Sequence, residues 1–62
     1  MDYLIESWWR HCGAYDREQA SPLYWDKGRE DVTDYFKRTD DWWDSLTPEE
    51  KRTVYDEYFN EN

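Results

Sequence analysis

The hydrophobic positions between residues 31 and 46 follow the period of an α-helix. In the sequence DVTDYFKRTDDWWDSL, apolar side chains recur three or four residues apart, and Thr39 fills the gap in the apolar stripe. Most of the positions between them are charged, as on the solvent-facing side of an amphipathic helix. The members of the stripe are Val32, Tyr35, Phe36, Trp42, Trp43 and Leu46. The pattern therefore predicts a central helix over about residues 30–46.

The same period occurs in the first segment, DYLIESWWRHC, and predicts a helix over about residues 2–13. Asp2 is a favourable N-cap for this helix, and Gly13 is a candidate left-handed C-cap after its last periodic residue. Residues 14–19 can extend the helix by one or two further turns. The apolar face comprises Leu4, Ile5, Trp8, Trp9 and Cys12.

A third helix is predicted over about residues 48–59, because residues 47–50 carry a strong helix-start signal. Thr47 is a good N-cap, Pro48 suits the first helical position, and Glu50 stands where the second member of a capping box is expected. Only one or two residues separate this helix from the central one, so we expect a sharp corner between them. The inward face of the third helix comprises Val54, Tyr55, Tyr58 and Phe59.

Residues 20–28, ASPLYWDKG, interrupt the helical pattern, because Pro22 disfavours helix at the residue before it. An apolar triplet of Leu23, Tyr24 and Trp25 nevertheless lies inside this loop. Three interpretations remain open: a lid packed over the helices, an exposed aromatic epitope, or a short edge strand.

Composition adds one feature to this picture, because aromatic residues supply most of the apolar surface. Five Trp, six Tyr and two Phe make up 21% of the 62 residues, and each buried ring removes about 150–250 Å² from water. The predicted fold is all-α: a small three-helix bundle or open helical array with an aromatic-rich core, forming one domain over residues 1–62. An interior this small cannot readily hide so many rings, so some are expected at the surface.

Two tryptophan doublets, at residues 8–9 and 42–43, stand on the predicted helices. Adjacent residues on a helix point about 100° apart, so one ring of each doublet is expected in the core and its neighbour at the core edge. A tryptophan at such an edge is a favoured anchor for a partner protein. The doublets stand in different sequence contexts, and we expect no internal repeat.

The charge is strongly unbalanced, with 16 acidic and 8 basic residues and a formal net charge of −8. Such an excess repels nucleic acid and anionic membranes and attracts basic proteins, so direct binding to nucleic acid or membrane is not expected. Carboxylates spaced along the central helix can imitate nucleic-acid phosphates in a groove lined by Arg and Lys. The alternatives are a solvated face whose charge serves solubility, and the binding of a divalent metal ion, against which stands the lack of an Asp-x-Asp-x-Asp-Gly loop. The carboxylates are Asp34, Asp40, Asp41 and Asp44.

Nothing in the sequence has a pattern typical of catalysis. His11 and Cys12 are adjacent, so on a helix they diverge by about 100°, and no nucleophile elbow, glycine-rich phosphate loop or paired-histidine motif is present. We therefore predict no catalytic residue, no metal ligand and no cofactor. A single cysteine, the absence of a secretory signal and the lack of an apolar run of about 20 residues predict a cytoplasmic location.

The leading hypothesis is a small, non-enzymatic interaction protein that binds a larger basic protein, such as a nucleic-acid-processing protein, and inhibits or modulates it. The alternative is a structural accessory subunit or a homodimer whose interface is formed by the surplus aromatic side chains. The candidate partner-binding residues are Asp34, Asp40, Asp41, Asp44, Trp25 and Trp42.

In its size, its acidity and the appearance of a complete small reading frame, the chain resembles small acidic proteins that bacteriophages encode to disable host enzymes. These include anti-CRISPR and anti-restriction proteins. The resemblance is one of overall profile and involves no sequence motif. It implies an inhibitor that acts in the cytoplasm of a bacterial host cell.

Overall fold

The computed structural model describes residues 3–60, and these residues contain four α-helices and no strand. Helix α1 spans Tyr3–His11, α2 spans Ala14–Ala20, α3 spans Val32–Asp44 and α4 spans Pro48–Asn60. The all-α prediction is confirmed, and the edge-strand interpretation of the loop is wrong. The capping role predicted for Asp2 lies outside the described residues.

The three-helix prediction is wrong near its beginning, because the first predicted helix is followed by a separate short one. Gly13 has φ −78° and ψ −179°, so it does not adopt the left-handed conformation predicted for it. It is instead the N-cap residue of α2, and its carbonyl accepts a hydrogen bond from the Arg17 N–H at 3.0 Å. An extended residue interrupts the helical backbone, so α1 ends at His11 and α2 is a distinct element.

Helix α4 begins as the sequence predicts. The Thr47 hydroxyl accepts a hydrogen bond from the Glu50 N–H at 3.1 Å, and the Glu50 carboxylate accepts one from the Thr47 N–H at 2.9 Å. This reciprocal pair is the predicted capping box, which satisfies two backbone donors that a helix start leaves open. Residues 45–47 alone connect α3 to α4.

Two stacked tryptophan rings form the centre of the core. Trp9 of α1 and Trp43 of α3 are each 2% exposed, and their rings lie 4.5 Å apart with an interplanar angle of 5°. Trp8 and Trp42 are half-buried and pack at the edges of this pair, with Trp8 6.1 Å from Trp43 and Trp42 5.8 Å from Trp9. The prediction that each doublet places one ring in the core is confirmed, and in both doublets it is the second.

Each buried indole donates a hydrogen bond to a carboxylate of the opposite helix. Trp9 Nε1 donates to Asp40 at 3.0 Å, and Trp43 Nε1 donates to Glu6 at 3.1 Å. In both α1 and α3, the acceptor carboxylate stands three residues before the buried tryptophan of the same helix. The two side chains therefore lie on neighbouring parts of one helix face. The doublets share the pattern acidic–x–Trp–Trp and occupy equivalent positions. The expectation of unrelated contexts is therefore wrong.

A basic side chain neutralises each of these carboxylates. Arg17 of α2 lies 2.7 Å from Asp40, and Lys51 of α4 lies 2.8 Å from Glu6. The same cations contact the stacked rings: the Arg17 guanidinium is 4.4 Å from the Trp9 centroid, and the Lys51 ammonium is 5.3 Å from that of Trp43. Such cation–π contacts contribute about 0.5–2 kcal/mol each. Two ion pairs thus fasten α2 and α4 to the α1–α3 pair.

Arg17 is 4% exposed, which is unusual for a charged side chain. Its burial is possible because the guanidinium also donates to the Thr39 hydroxyl at 2.9 Å and to the carbonyls of Trp9 and Phe36 at 3.2 and 3.3 Å. Among the buried side-chain polar atoms that the structure describes, only Arg17 Nε lacks a partner. A buried charge is stable only when it is paired and hydrogen-bonded. The sequence pattern did not indicate this role for Arg17.

The central stripe is buried over part of its length. Tyr35 and Thr39 are completely buried and Trp43 is 2% exposed, whereas Val32 at the start of α3 is 38% exposed. Thr39 tolerates full burial because its hydroxyl donates to the Phe36 carbonyl at 3.0 Å and accepts from the buried guanidinium. The inner side of α3 is therefore held at three successive turns.

The loop between α2 and α3 forms a lid over Tyr35. The Tyr35 hydroxyl donates to the Leu23 carbonyl at 2.8 Å, and the Trp25 ring stacks on the Tyr35 ring at 6.2 Å. The Trp25 N–H donates to the Glu18 carboxylate at 3.0 Å, which ties the lid to α2. The lid interpretation thus holds for Leu23 and Trp25, but the side chain of Tyr24 is 75% exposed.

Glu6 makes stability depend on pH. The hydrogen bond from Lys51 lowers the pKa of Glu6 below its ordinary value of 4.5; burial opposes this, and the Trp43 indole adds to it. Because the pKa is lower in the folded chain than in the unfolded one, this contribution is complete above about pH 4.5 and is lost as the pH falls through the folded value.

We therefore expect the stability difference between the wild type and Glu6→Gln to shrink as the pH falls from about 7 to about 3. Urea unfolding at successive pH values measures it. Glu57→Gln, which removes an exposed carboxylate from α4, is the control and should show a nearly constant difference. A wild-type advantage over Glu6→Gln that persists unchanged at pH 3 would contradict the assignment.

Candidate functional site

The outward side of α3 carries carboxylates that the fold does not use. Asp34, Asp41 and Asp44 are exposed, and within residues 3–60 their side chains form no ion pair and accept no hydrogen bond. Helical geometry places Asp41 about 10 Å along the axis from Asp34 and Asp44 about 5 Å further, all on the side opposite the stripe. We call these three residues the acidic face. Lys37 lies among them without forming an ion pair with any of them.

Asp40 lies apart from the acidic face, although the sequence groups it with the other three. Its Oδ1 accepts hydrogen bonds from both Arg17 and the Trp9 indole, while its side chain remains 52% exposed. The structure therefore joins Asp40 to the core and leaves the other carboxylates on the outside. Whether Asp40 also contacts a partner stays a prediction.

Three of the basic side chains are paired with carboxylates that lie outside the acidic face. The pairs have N–O distances of 2.7, 2.8 and 3.0 Å and join Arg17 to Asp40, Lys51 to Glu6 and Arg38 to Glu30. Each pair removes one charge of each sign, so the formal net charge of −8 is carried by the remaining side chains. The acidic face is the part of that surplus that lies along α3; α4 carries further exposed carboxylates at Glu49, Asp56 and Glu57.

Tyr24, which is 75% exposed, is tied through its backbone to α3 at a residue next to the acidic face. Arg38, which lies one turn from both Asp34 and Asp41 on α3, donates to the Tyr24 carbonyl at 2.7 Å. It also binds both carboxylate oxygens of Glu30 at 3.0 Å, and these bonds lower the pKa of Glu30. A bidentate pair of this kind fixes geometry well. The backbone at Tyr24 is thereby held against α3, beside the unpaired carboxylates.

The aromatic anchors predicted from the sequence are engaged within the fold. Trp25 is half-buried, and its indole donates to a loop carbonyl at 2.8 Å while its ring covers Tyr35. Trp42 is half-buried against the core pair, 5.8 Å from Trp9 and 6.3 Å from Trp43. The sequence placed Tyr24 in the apolar triplet but gave no signal that its ring alone would remain exposed.

Other reactive groups are few. Cys12 is buried, and burial raises the pKa of its thiol to about 11, so it is protonated and unreactive at neutral pH. Within the described range, no three His, Cys, Asp or Glu side chains converge in a way that could hold a metal ion. No described helix is both long and apolar enough to cross a membrane.

Comparison of the chain with protein-family models, with curated proteins and with solved structures gives no match. Function must therefore be inferred from the acidic face and the residues around it.

Asp40→Asn and Asp41→Asn remove the same charge from adjacent positions of α3. We expect Asp40→Asn to lower the free energy of unfolding by about 1–3 kcal/mol, because it weakens hydrogen bonds to buried Arg17 and Trp9. Asp41→Asn should change it by less than about 0.5 kcal/mol, since Asp41 holds nothing in the fold. Urea unfolding followed by tryptophan fluorescence measures both values. Equal losses in the two variants would contradict the separation of Asp40 from the acidic face.

Proposed function

We propose that this is a small, non-enzymatic interaction protein that binds a larger protein through the acidic face and inhibits or modulates it. The observation that carries the proposal is the alignment of Asp34, Asp41 and Asp44, all exposed and unpaired, on one side of a firmly packed helix. Like charges so close on a helix destabilise it modestly. Charges that only keep a protein in solution do not need to be aligned, whereas charges that recognise a basic surface do.

The partner that fits this face is a protein with a basic surface. The negative electrostatic field of the acidic face steers such a partner toward it and fixes the register in which the two surfaces meet. Tyr24, 75% exposed at the edge of the face, supplies an aromatic side chain that a partner can desolvate. The acidic surplus thus provides attraction, and the ring provides a contact that survives partial screening by salt.

A nucleic-acid-processing protein is the partner class that we favour. The acidic face extends over about 15 Å of helix axis, and a nucleic-acid strand advances about 3.4 Å per phosphate. The face therefore spans the length of roughly four nucleotides and can occupy a short stretch of an Arg/Lys-lined groove. Its resemblance in size and acidity to bacteriophage-encoded inhibitors is consistent with this class and with action in the cytoplasm.

Inhibition would follow from occupancy alone. The inner side of α3 is held by Tyr35, Thr39 and Trp43, each at most 2% exposed, so the acidic face is already ordered before it meets a partner. A preorganised helix avoids the entropic cost of ordering its backbone on binding. Once bound, the helix covers the basic groove and excludes the nucleic acid that the groove would otherwise hold.

The test compares two triple variants that lose the same charge. Proteins captured from a bacterial lysate by the immobilised wild type are identified, and the affinity of a captured basic protein is then measured for each variant. The acidic-face variant carries Asp34→Asn, Asp41→Asn and Asp44→Asn. The matched control on α4 carries Glu49→Gln, Asp56→Asn and Glu57→Gln.

We expect the acidic-face variant to bind at least about tenfold more weakly than the control, which corresponds to about 1.4 kcal/mol. Wild-type affinity should also fall steeply as salt rises from about 0.05 to about 0.5 M, since screening weakens exposed charges. Equal losses in the two triple variants would show that net charge alone matters. Affinity that persists at high salt would favour the alternative, an accessory subunit that binds through aromatic side chains.

A further inference from the structure

The outward face of α1 differs in character from the acidic face. Tyr3 and Leu4, in its first turn, are 85% and 74% exposed. Arg10 and His11, in its last turn, are exposed as well, and Ser7 lies midway between the two ends. We call these five residues the α1 face. It has a tyrosine and a leucine at one end and an arginine and a histidine at the other.

Within Tyr3–His11, the described span of α1, no carboxylate is left unpaired. The acidic side chain of α1 is Glu6, which is occupied by the Trp43 indole at 3.1 Å and by the Lys51 ammonium at 2.8 Å. Beside it, two adjoining surface grooves of about 700 and 500 Å³ run between α1 and α4, and both are lined by Tyr3, Glu6 and Lys51. The first groove is also lined by Glu49 and Arg52, so the described surface around the α1 face is recessed and carries basic as well as acidic side chains, in a chain of net charge −8.

We propose that the α1 face binds the same face of a second copy of this chain, forming an antiparallel dimer whose two-fold axis passes near Ser7. In such a pair, Tyr3 of one copy lies opposite Arg10 of the second, and Leu4 lies opposite His11. An arginine over a tyrosine ring gives a favourable cation–π contact. A serine at the crossing point allows two helices to approach closely.

Charge favours a second copy with this orientation. Two chains of net charge −8 repel each other at their acidic faces, so close approach is favoured at the α1 face, whose described side chains include Arg10 and no carboxylate. The α1 face also has complementary ends, which is what a closed, two-fold interface requires. Because α1 and α3 pack through Trp9 and Trp43, their outward faces point in different directions. The dimer would leave both acidic faces accessible, so the proposal stands or fails independently of the proposed function.

Sedimentation equilibrium at physiological salt, up to about 1 mM protein, tests for the dimer. The mass of the wild type should rise from 7.8 kDa toward twice that value. Ser7→Glu places two like charges at the axis and should raise the dimer dissociation constant at least about tenfold. Gln19→Glu, which adds the same charge at an exposed position of α2, should behave as the wild type.

A cross-linking measurement then tests the position of the axis. Two Ser7→Cys chains should form a disulfide-linked dimer at least about tenfold faster than two Gln19→Cys chains under the same mild oxidation. Wild-type chains, whose Cys12 is buried, provide the background rate. A monomeric mass at about 1 mM would overturn the proposal, as would a dimer that Ser7→Glu does not weaken. Equal cross-linking rates at positions 7 and 19 would also overturn it.

Discussion

The stacked indoles of Trp9 and Trp43 are the contact on which the rest of the structure depends. A ring buried this deeply needs an acceptor for its N–H, because a buried donor without a partner costs about 1–3 kcal/mol. The acceptors are the carboxylates of Asp40 and Glu6, each from the opposite helix. A carboxylate beside a buried ring needs a cation in turn, and α2 and α4 supply one each. All four helices are joined through these two rings.

This arrangement also decides where the charge of the protein appears. A larger core would use aliphatic side chains, which need no polar partners, but this small chain relies on tryptophan, whose buried N–H groups need acceptors. The acceptors are carboxylates, and the basic side chains that neutralise them, Arg17 and Lys51, are then unavailable to the outward carboxylates. Helix α3 consequently has two different sides: Tyr35, Thr39 and Trp43 hold its inner side, while Asp34 and Asp41 remain unpaired on its outer side.

Structural features that depend on residues close together in the sequence can be predicted from it, and features that depend on contacts between distant residues cannot. Periodicity predicts α3 and α4, and the capping box depends on residues only three positions apart. Gly13 is ambiguous, because glycine suits both the end of one helix and the start of the next. The burial of Arg17 could not be predicted, since its partners Thr39 and Asp40 lie 22 and 23 residues away. The exposure of Tyr24 could likewise not be predicted, since the hydrogen bond that holds its backbone comes from Arg38, 14 residues away. The acidic–x–Trp–Trp pattern is visible in the sequence, but only the structure shows its exchange of hydrogen bonds.

A double-mutant cycle between Trp9→Phe and Trp43→Phe is the most direct test of the claim that the two indoles hold the fold together as a unit. Urea unfolding of the wild type, both single variants and the double variant gives the coupling free energy. Side chains that share one stack and one hydrogen-bond exchange should be coupled by about 1 kcal/mol or more. Losses that add to within about 0.3 kcal/mol would show that the two rings act independently and would contradict the account.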